Sequence, residues 1–393
     1  MTEDKVYLKG VAKQWTSDHG LTNTNINSTA NINVSGNVMS LFYGDNFVNQ
    51  TSFPDASRDY NLYRLFYNNT HLIDASELIL PATTMVSYCY SCMFESCTSL
   101  TSVPSVLPAT TLASNCYAGM FNGCTSLTTA PELPATTLAS SCYSSTFYGC
   151  TSLTTAPELP ATTMVSHCYD SMFRGCTLLA SVPSELPATT LAEYCYSSMF
   201  YGCTALTAAP ELPATTMVTQ CYRSMFQNCT SLTSAPSVLP ATTLANYCYI
   251  SMFKGCTHLT KAPKLPATTL VDNCYYTMFQ NCTSLNNITM LAENIATNCF
   301  TNWVSGVAST GTFTKAVNMT SLTTGNSGIP TGWVIKSYHP YIIEEVNIIN
   351  TPDNGNYYVE DEEISFEIKL SNNTENRVNN VTVTNLKTDN IVE

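Results

Sequence analysis

The 393-residue chain carries 28 acidic and 15 basic side chains, for a formal net charge of −13, and only 11% of its residues are charged. That balance argues against a nucleic-acid partner, which needs Lys and Arg against its phosphates, and against an anionic membrane surface. It also leaves Thr, Ser, Asn and Tyr to build most of the surface. No run of apolar residues is long enough to span a bilayer. The start, M-T-E-D-K-V-Y, lacks the basic and apolar regions of a signal peptide.

Residues 1–59 contain V-Y-L-K-G and the alternating stretch I-N-I-N-V-S-G-N-V-M-S-L-F-Y-G. The alternation predicts short strands forming a β-rich N-terminal cap. A repeat then takes over. Its second cysteines stand at Cys97, Cys124, Cys150, Cys176, Cys203, Cys229, Cys256 and Cys282, always 26 or 27 apart. A fixed period of this size predicts a solenoid. The shorter units read P-E-L-P or P-K-L-P and the longer ones P-S-V-L-P or P-S-E-L-P, so the extra residue enters at one place, as a loop or bulge would. Asn61 and Asn69 fill the two cysteine slots upstream, and Cys299 and Val307 fill them downstream. That frames about ten units over 60–307, with degenerate terminal units of the kind that capping requires.

The unit Ser126–Cys150 reads S-L-T-T-A-P-E-L-P-A-T-T-L-A-S-S-C-Y-S-S-T-F-Y-G-C. Leu127–Leu133 is short, Thr-rich and bounded by prolines, which predicts a strand of a few residues. Leu138, Cys142, Thr146 and Cys150 recur at every fourth position, which predicts a helix of two to three turns. Ala135-Thr136-Thr137 offers an N-cap hydroxyl and Gly149 a helix stop. The fold class expected is therefore an α/β repeat solenoid. Its interior would hold Phe121, Cys124, Leu127, Cys142, Phe147, Cys150, Phe173 and Cys176.

The string L-x-x-A-P-E-L-P…F-x-G-C-T-S-L, with Asn69 and Cys alternating in one slot, resembles the BspA-type leucine-rich repeats of bacterial proteins. The units here are slightly longer than is usual for that type, and Ala130 stands where it favours isoleucine or valine. The resemblance implies a surface-exposed or extracellular protein that binds host proteins or glycans, as a monomer and without a cofactor.

The eighteen cysteines admit several readings. Two residues eight apart on a helix lie about 12 Å from each other, too far for a disulfide within a unit. Pairing between the second cysteines of neighbouring units is closer to feasible, at strand spacing. Zinc sites want paired C-x₂₋₄-C elements, and only Cys89 and Cys92 have that spacing. The preferred reading is a column of buried thiols acting as small apolar side chains. No metal or catalytic residue is assigned. The five histidines occupy unrelated slots, and no G-x-S-x-G, P-loop or H-E-x-x-H is present. An enzyme is not expected.

Comparison between units marks the slots free to vary. One precedes the first cysteine (Ser141, His167, Tyr194, Gln220, Tyr247, Asn273) and another lies seven residues later (Asn122, Tyr148, Arg174, Tyr201, Gln227, Lys254, Gln280). Neutral drift on solvated positions explains such variation, and so does a tunable recognition surface. The candidate ligand surface comprises Tyr148, His167, Arg174, Tyr194, Tyr201, Gln220, Gln227, Tyr247 and Lys254. A third column, between the prolines, holds Glu132, Glu158, Glu185, Glu211, Val238 and Lys264. The tyrosines after the first cysteine, such as Tyr117, Tyr143 and Tyr169, read as a packed ring ladder, or alternatively as a sugar-stacking one.

Residues 308–338 read as a closing C-terminal cap around Trp333. From residue 339 the composition shifts, with 11 of the 28 acidic residues in the last 55. The alternating runs Y-I-I-E-E-V-N-I-I-N, E-I-S-F-E-I-K-L-S-N-N and N-V-T-V-T-N-L resemble the opening half of an immunoglobulin-like surface-repeat module, which implies a partial all-β sandwich over 339–393. The function expected is a non-enzymatic adhesion or binding protein of a cell or phage surface. The alternative is a structural spacer with no specific ligand.

Overall fold

The computed structural model describes residues 6–11, 25–338, 342–348 and 366–371. The chain divides into two compact units, Met1–Tyr338 and His339–Glu393. In the first, β1 (Ile32–Asn33) and β2 (Gly36–Asn37) precede a one-turn helix, α1 (Ser40–Tyr43). Their partners come from the first repeat. β1 pairs in parallel with β3 (Leu72–Asp74), and β2 pairs in parallel with β4 (Leu78–Ile79).

The helices expected in each unit do not form. The stretch 141–150 is a chain of tight turns instead, with left-handed backbone at every fourth residue: φ is 54° at Ser141, 54° at Ser145 and 69° at Gly149. Alternate N–H groups close these turns locally. Ser144 N donates to Ser141 O and Tyr148 N to Ser145 O, both at 3.1 Å. The intervening N–H groups reach the following unit. Tyr143 N donates to Cys168 O at 3.0 Å, Ser145 N to Asp170 O at 2.9 Å and Phe147 N to Met172 O at 2.9 Å. A helix keeps every N–H within its own segment. Here half of them tie one unit to the next, so the stack and the turns form together. Both structures return an apolar side chain every fourth residue, which is why the stripe reads as a helix.

The expected strand over Leu127–Leu133 contracts to single parallel bridges, Thr129 to Thr155 and Val106 to Glu132. Prolines on either side deny it longer ladders. The variable-length segment lies between these two bridge columns. In longer units the additional residue is Ser105, Ser184 or Ser237. Each sits in a bend and accepts the next unit's N–H, from Glu132 at 2.8 Å, Glu211 at 2.9 Å and Lys264 at 3.1 Å. The insertion is absorbed there and the packed frame is undisturbed.

Two aromatic ladders fill the interior. Phe94, Phe121, Phe147 and Phe173 stack with centroids 5.4–5.5 Å apart. Tyr117, Tyr143 and Tyr169 follow at 5.6 and 5.7 Å. Such offset pairs contribute roughly 0.5–1.5 kcal/mol each beyond their area burial. All of these rings are buried, so the tyrosine ladder has no face open to a sugar. At the C-terminal end the bridges lengthen into a parallel sheet of β5 (Asn287–Met290), β6 (Thr312–Ala316) and β7 (Val334–Tyr338). Trp303 and Trp333 pack there, and their indole N–H groups donate to Gly328 O at 2.8 Å and Ala308 O at 2.7 Å.

The second unit contributes an antiparallel pair, β8 (Ile342–Ile348) with β9 (Phe366–Ser371). Two of the three expected strands are thus observed. The run N-V-T-V-T-N-L lies outside the described residues, and a sandwich is not shown.

Candidate ligand-binding face

All eighteen cysteines are free, and seventeen are buried. The second-cysteine column has a specific bonding role. Cys124 Sγ donates to Phe94 O, Cys150 to Phe121 O and Cys176 to Phe147 O, at 3.0–3.1 Å. Each thiol thereby satisfies a carbonyl of the preceding unit. Three of the first cysteines meet thioethers instead: Cys89 Sγ lies 4.0 Å from Met85 Sδ, Cys168 Sγ 3.6 Å from Met164 Sδ and Cys221 Sγ 3.8 Å from Met217 Sδ. Cys299 is lowered by its hydrogen bond with Cys274, whereas burial pushes the other thiols up, Cys142 and Cys176 to about 12. At neutral pH they are protonated and not nucleophilic. Among the described residues no group of three or more His, Cys, Asp or Glu is placed to hold a metal.

The variable columns lie on the outer side of the turns. Of the residues in the second column, Tyr148 is exposed, while Arg174, Tyr201, Gln227 and Lys254 are partly so. The guanidinium of Arg174 stands 5.7 Å from the Tyr148 ring centroid and 4.3 Å from that of Tyr201. Asn228 Nδ2 donates to Tyr201 Oη at 3.2 Å. In the first column His167 stacks on Tyr194 at 4.6 Å and 8°. Gln220 Nε2 donates to Tyr194 Oη at 2.6 Å, and Arg223 donates to Gln220 Oε1 at 3.1 Å. The His167 Nδ1 lies 3.4 Å from an Asp170 carboxylate oxygen. Tyr247 is exposed in the same column.

The structure thus gathers most of the candidate residues into two linked clusters, Tyr148–Arg174–Tyr201 and His167–Tyr194–Gln220. Asp170, Arg223 and Asn228 join them, although neither of the two columns includes them. Asp170 and Arg223 share a slot that is itself variable, with Ala118, Ile250 and Tyr276 among its occupants, and Asn228 replaces the glycine of most units. Between the two columns one slot holds small residues, such as Ser171, Ser198, Ser224 and Ser251, and the other holds Asp170, Ser197, Arg223, Ile250 and Tyr276. Ser197, Ser198 and Ser224 are buried although they lie on this side, overshadowed by their large neighbours. Every residue of the first column is left-handed, from Ser141 to His167 (58°), Tyr194 (56°), Gln220 (56°) and Tyr247 (58°). The backbone fixes where each side chain stands and leaves its identity free.

The sequence family described as BspA type Leucine rich repeat region matches here in 6 copies, over residues 65–199, 94–233 and 190–306. The chain belongs to this family. A crystal structure of a leucine-rich repeat protein from Bacteroides ovatus is 17% identical, covering 70% of this chain and 80% of that one, with a TM-score of 0.25. A comparison with curated proteins finds no match. Within the BspA-type array, the slot shared by Asn69 and cysteine is now explained. Asn69 Nδ2 donates to Ile26 O at 3.2 Å, as the thiols donate to the carbonyl behind them. No helix among the described residues is long and apolar enough to cross a membrane.

Proposed function

We propose that the chain is a non-enzymatic binding protein of a bacterial or phage surface, engaging protein or glycan ligands through the outer face of its turns. The family supports this reading, because BspA-type repeats are in general surface or extracellular proteins and not enzymes. The observation that carries it is the contrast between two sets of columns. The buried Phe, Tyr and Cys columns are nearly uniform, whereas the outward columns hold large polar and aromatic side chains that differ from unit to unit. Rigid placement with variable chemistry is what a recognition surface requires.

The test is a block variant of the full chain. His167, Tyr194 and Gln220 become Asn, which tolerates the left-handed backbone, and Arg174, Tyr201 and Gln227 become Ser. Wild type and variant are applied to an array of host-matrix proteins and glycans. Binding that disappears in a variant with an unchanged melting temperature supports the proposal. Absence of any binding, or binding that survives the substitutions, favours the alternative of a spacer with no ligand on this face.

A further inference from the structure

We propose that Arg174, held between Tyr148 and Tyr201, receives the carboxylate of an acidic glycan. This deepens the binding reading above and rests on it. The guanidinium is planar and carries five N–H donors around its edge, so rings on its faces leave those donors free for an acceptor. Among the described residues the guanidinium of Arg174 has neither a hydrogen bond nor an ion pair. Its contacts are the two rings, at 5.7 and 4.3 Å.

The same chain displays what such an arrangement accepts. Arg64 also lies against two tyrosines, Tyr63 at 5.1 Å and Tyr67 at 4.5 Å. There the guanidinium meets a carboxylate, Glu95, at 3.7 Å. Arg174 stands in a different slot of the unit, and no carboxylate among the described residues lies within ion-pair distance of it. Asp170, an acidic side chain on the same face, is directed at His167. Three units along the same column, Lys254 is partly exposed and has no anionic partner among the described residues. A protein of net charge −13 with 28 acids has many carboxylates to pair internally, yet these two cations stand unpaired on one strip.

The surroundings select a glycan over an acidic peptide. Tyrosine and arginine anchor protein interfaces as well, but the cores of those interfaces are depleted in serine and other small polar groups. In these columns the exposed large apolar side chains are the tyrosines Tyr148 and Tyr247. Beside them stand the amides of Gln220, Gln227 and Asn228 and the partly exposed hydroxyls of Ser171 and Ser251, which match a hydroxyl-rich polymer. One unit advances the stack by a ring spacing of about 5.5 Å, a step comparable to one sugar residue, so successive units can contact successive sugars.

Titration calorimetry of the full chain tests the proposal, using a uronate polymer, a sialate polymer, neutral dextran and poly-glutamate. Binding of either carboxylated glycan in preference to dextran and poly-glutamate is expected, and which polymer binds distinguishes uronate from sialate. Arg174→Gln should weaken that binding by about tenfold or more. Arg174→Lys should fail to restore it, since the charge remains but the fork is lost. Unchanged melting temperatures for both variants show that the fold is intact. The proposal is overturned by equal affinity for dextran, by tighter binding of poly-glutamate, or by full affinity in Arg174→Gln. If no carboxylated glycan binds while the array of the previous section still reports a ligand lost in the block variant, this inference falls and the binding reading stands.

Discussion

Asn69 and the second cysteines show how one slot serves two residue types. Both place a donor against a carbonyl of the preceding turn, an amide N–H at 3.2 Å and a thiol at 3.1 Å for Cys124 and Cys150. The sequence exposes the Asn–Cys exchange, and burial follows from composition alone. The bond itself is not legible, because sulfur is a weak donor and nothing local points it backwards. Two outcomes follow from the burial. In native protein a thiol reagent should modify Cys92 at most, the single cysteine that is not buried, whereas all eighteen should react after denaturation. Rapid labelling of several thiols in the native state would contradict this packing. The pH dependence has a definite sign. Unfolded thiols titrate near their ordinary 9.0, while Cys142 and Cys176 titrate near 12 when folded. Above pH 9 the unfolded chain therefore binds fewer protons, and stability should fall by about 1.4 kcal/mol per pH unit for each such thiol. Below pH 9 these groups give no slope. Denaturant titrations between pH 8 and 11 measure it. Tyr143 makes a further case, since its hydroxyl is buried without a partner. Tyr143→Phe should leave the ring ladder intact and raise stability by about 1 kcal/mol, read as a higher denaturation midpoint.

At the scale of the repeated element, the period, the slot assignments and the place of the length variation are all readable in the chain. The local conformation is not. Leu138, Cys142, Thr146 and Cys150 fit a helical stripe, yet an ideal helix drifts by about 40° every four residues, and this pattern holds an exact four. Two further traces point away from a helix. Apolar residues come in adjacent pairs, Cys142 with Tyr143 and Thr146 with Phe147. The positions before the pairs include Asn115, Gly119, His167, Asn273 and Asn298, residues that tolerate positive φ better than most, although Tyr194, Gln220 and Tyr247 stand there too. What decides the outcome is the hydrogen bonding between units, which no window within a single repeat contains. Ser145, at φ 54°, distinguishes the two conformations. In a helix Ser145→Ala would stabilise and Ser145→Gly would cost about 0.5–1 kcal/mol. In the turn chain the order reverses. Glycine should equal or exceed wild type, and alanine should lose about 1 kcal/mol. Thermal melts of the two variants report which order holds. The candidate site was legible as a set of variable slots, but the pairing of Arg174 with two tyrosines needs the 26-residue stacking that only the fold provides.

At the scale of the whole array, the backbone bonds between units in the turn layer all run one way. Backbone N–H groups of the turns donate forward, as Tyr143 does to Cys168 O, and the thiols donate backward. The turn layer therefore has chemical polarity, with an edge of acceptors at its first unit and an edge of donors at its last, while the bridge segments also donate backward, as Glu132 N does to Ser105 O. Both edges are quenched. Ile26 N and Asn25 Nδ2 supply donors to Leu65 O and Tyr67 O. Thr297 O, Thr301 O and Ser305 O accept from Asn273, Thr277 and Asn281. Like edges cannot bond to each other. Trimming one end alone should yield a molecule that remains monomeric in sedimentation. Removing residues 1–59 together with everything after 295 should give two complementary faces and head-to-tail filaments that grow with concentration. The end segments, on this view, are stoppers that set the length of what would otherwise be an open polymer.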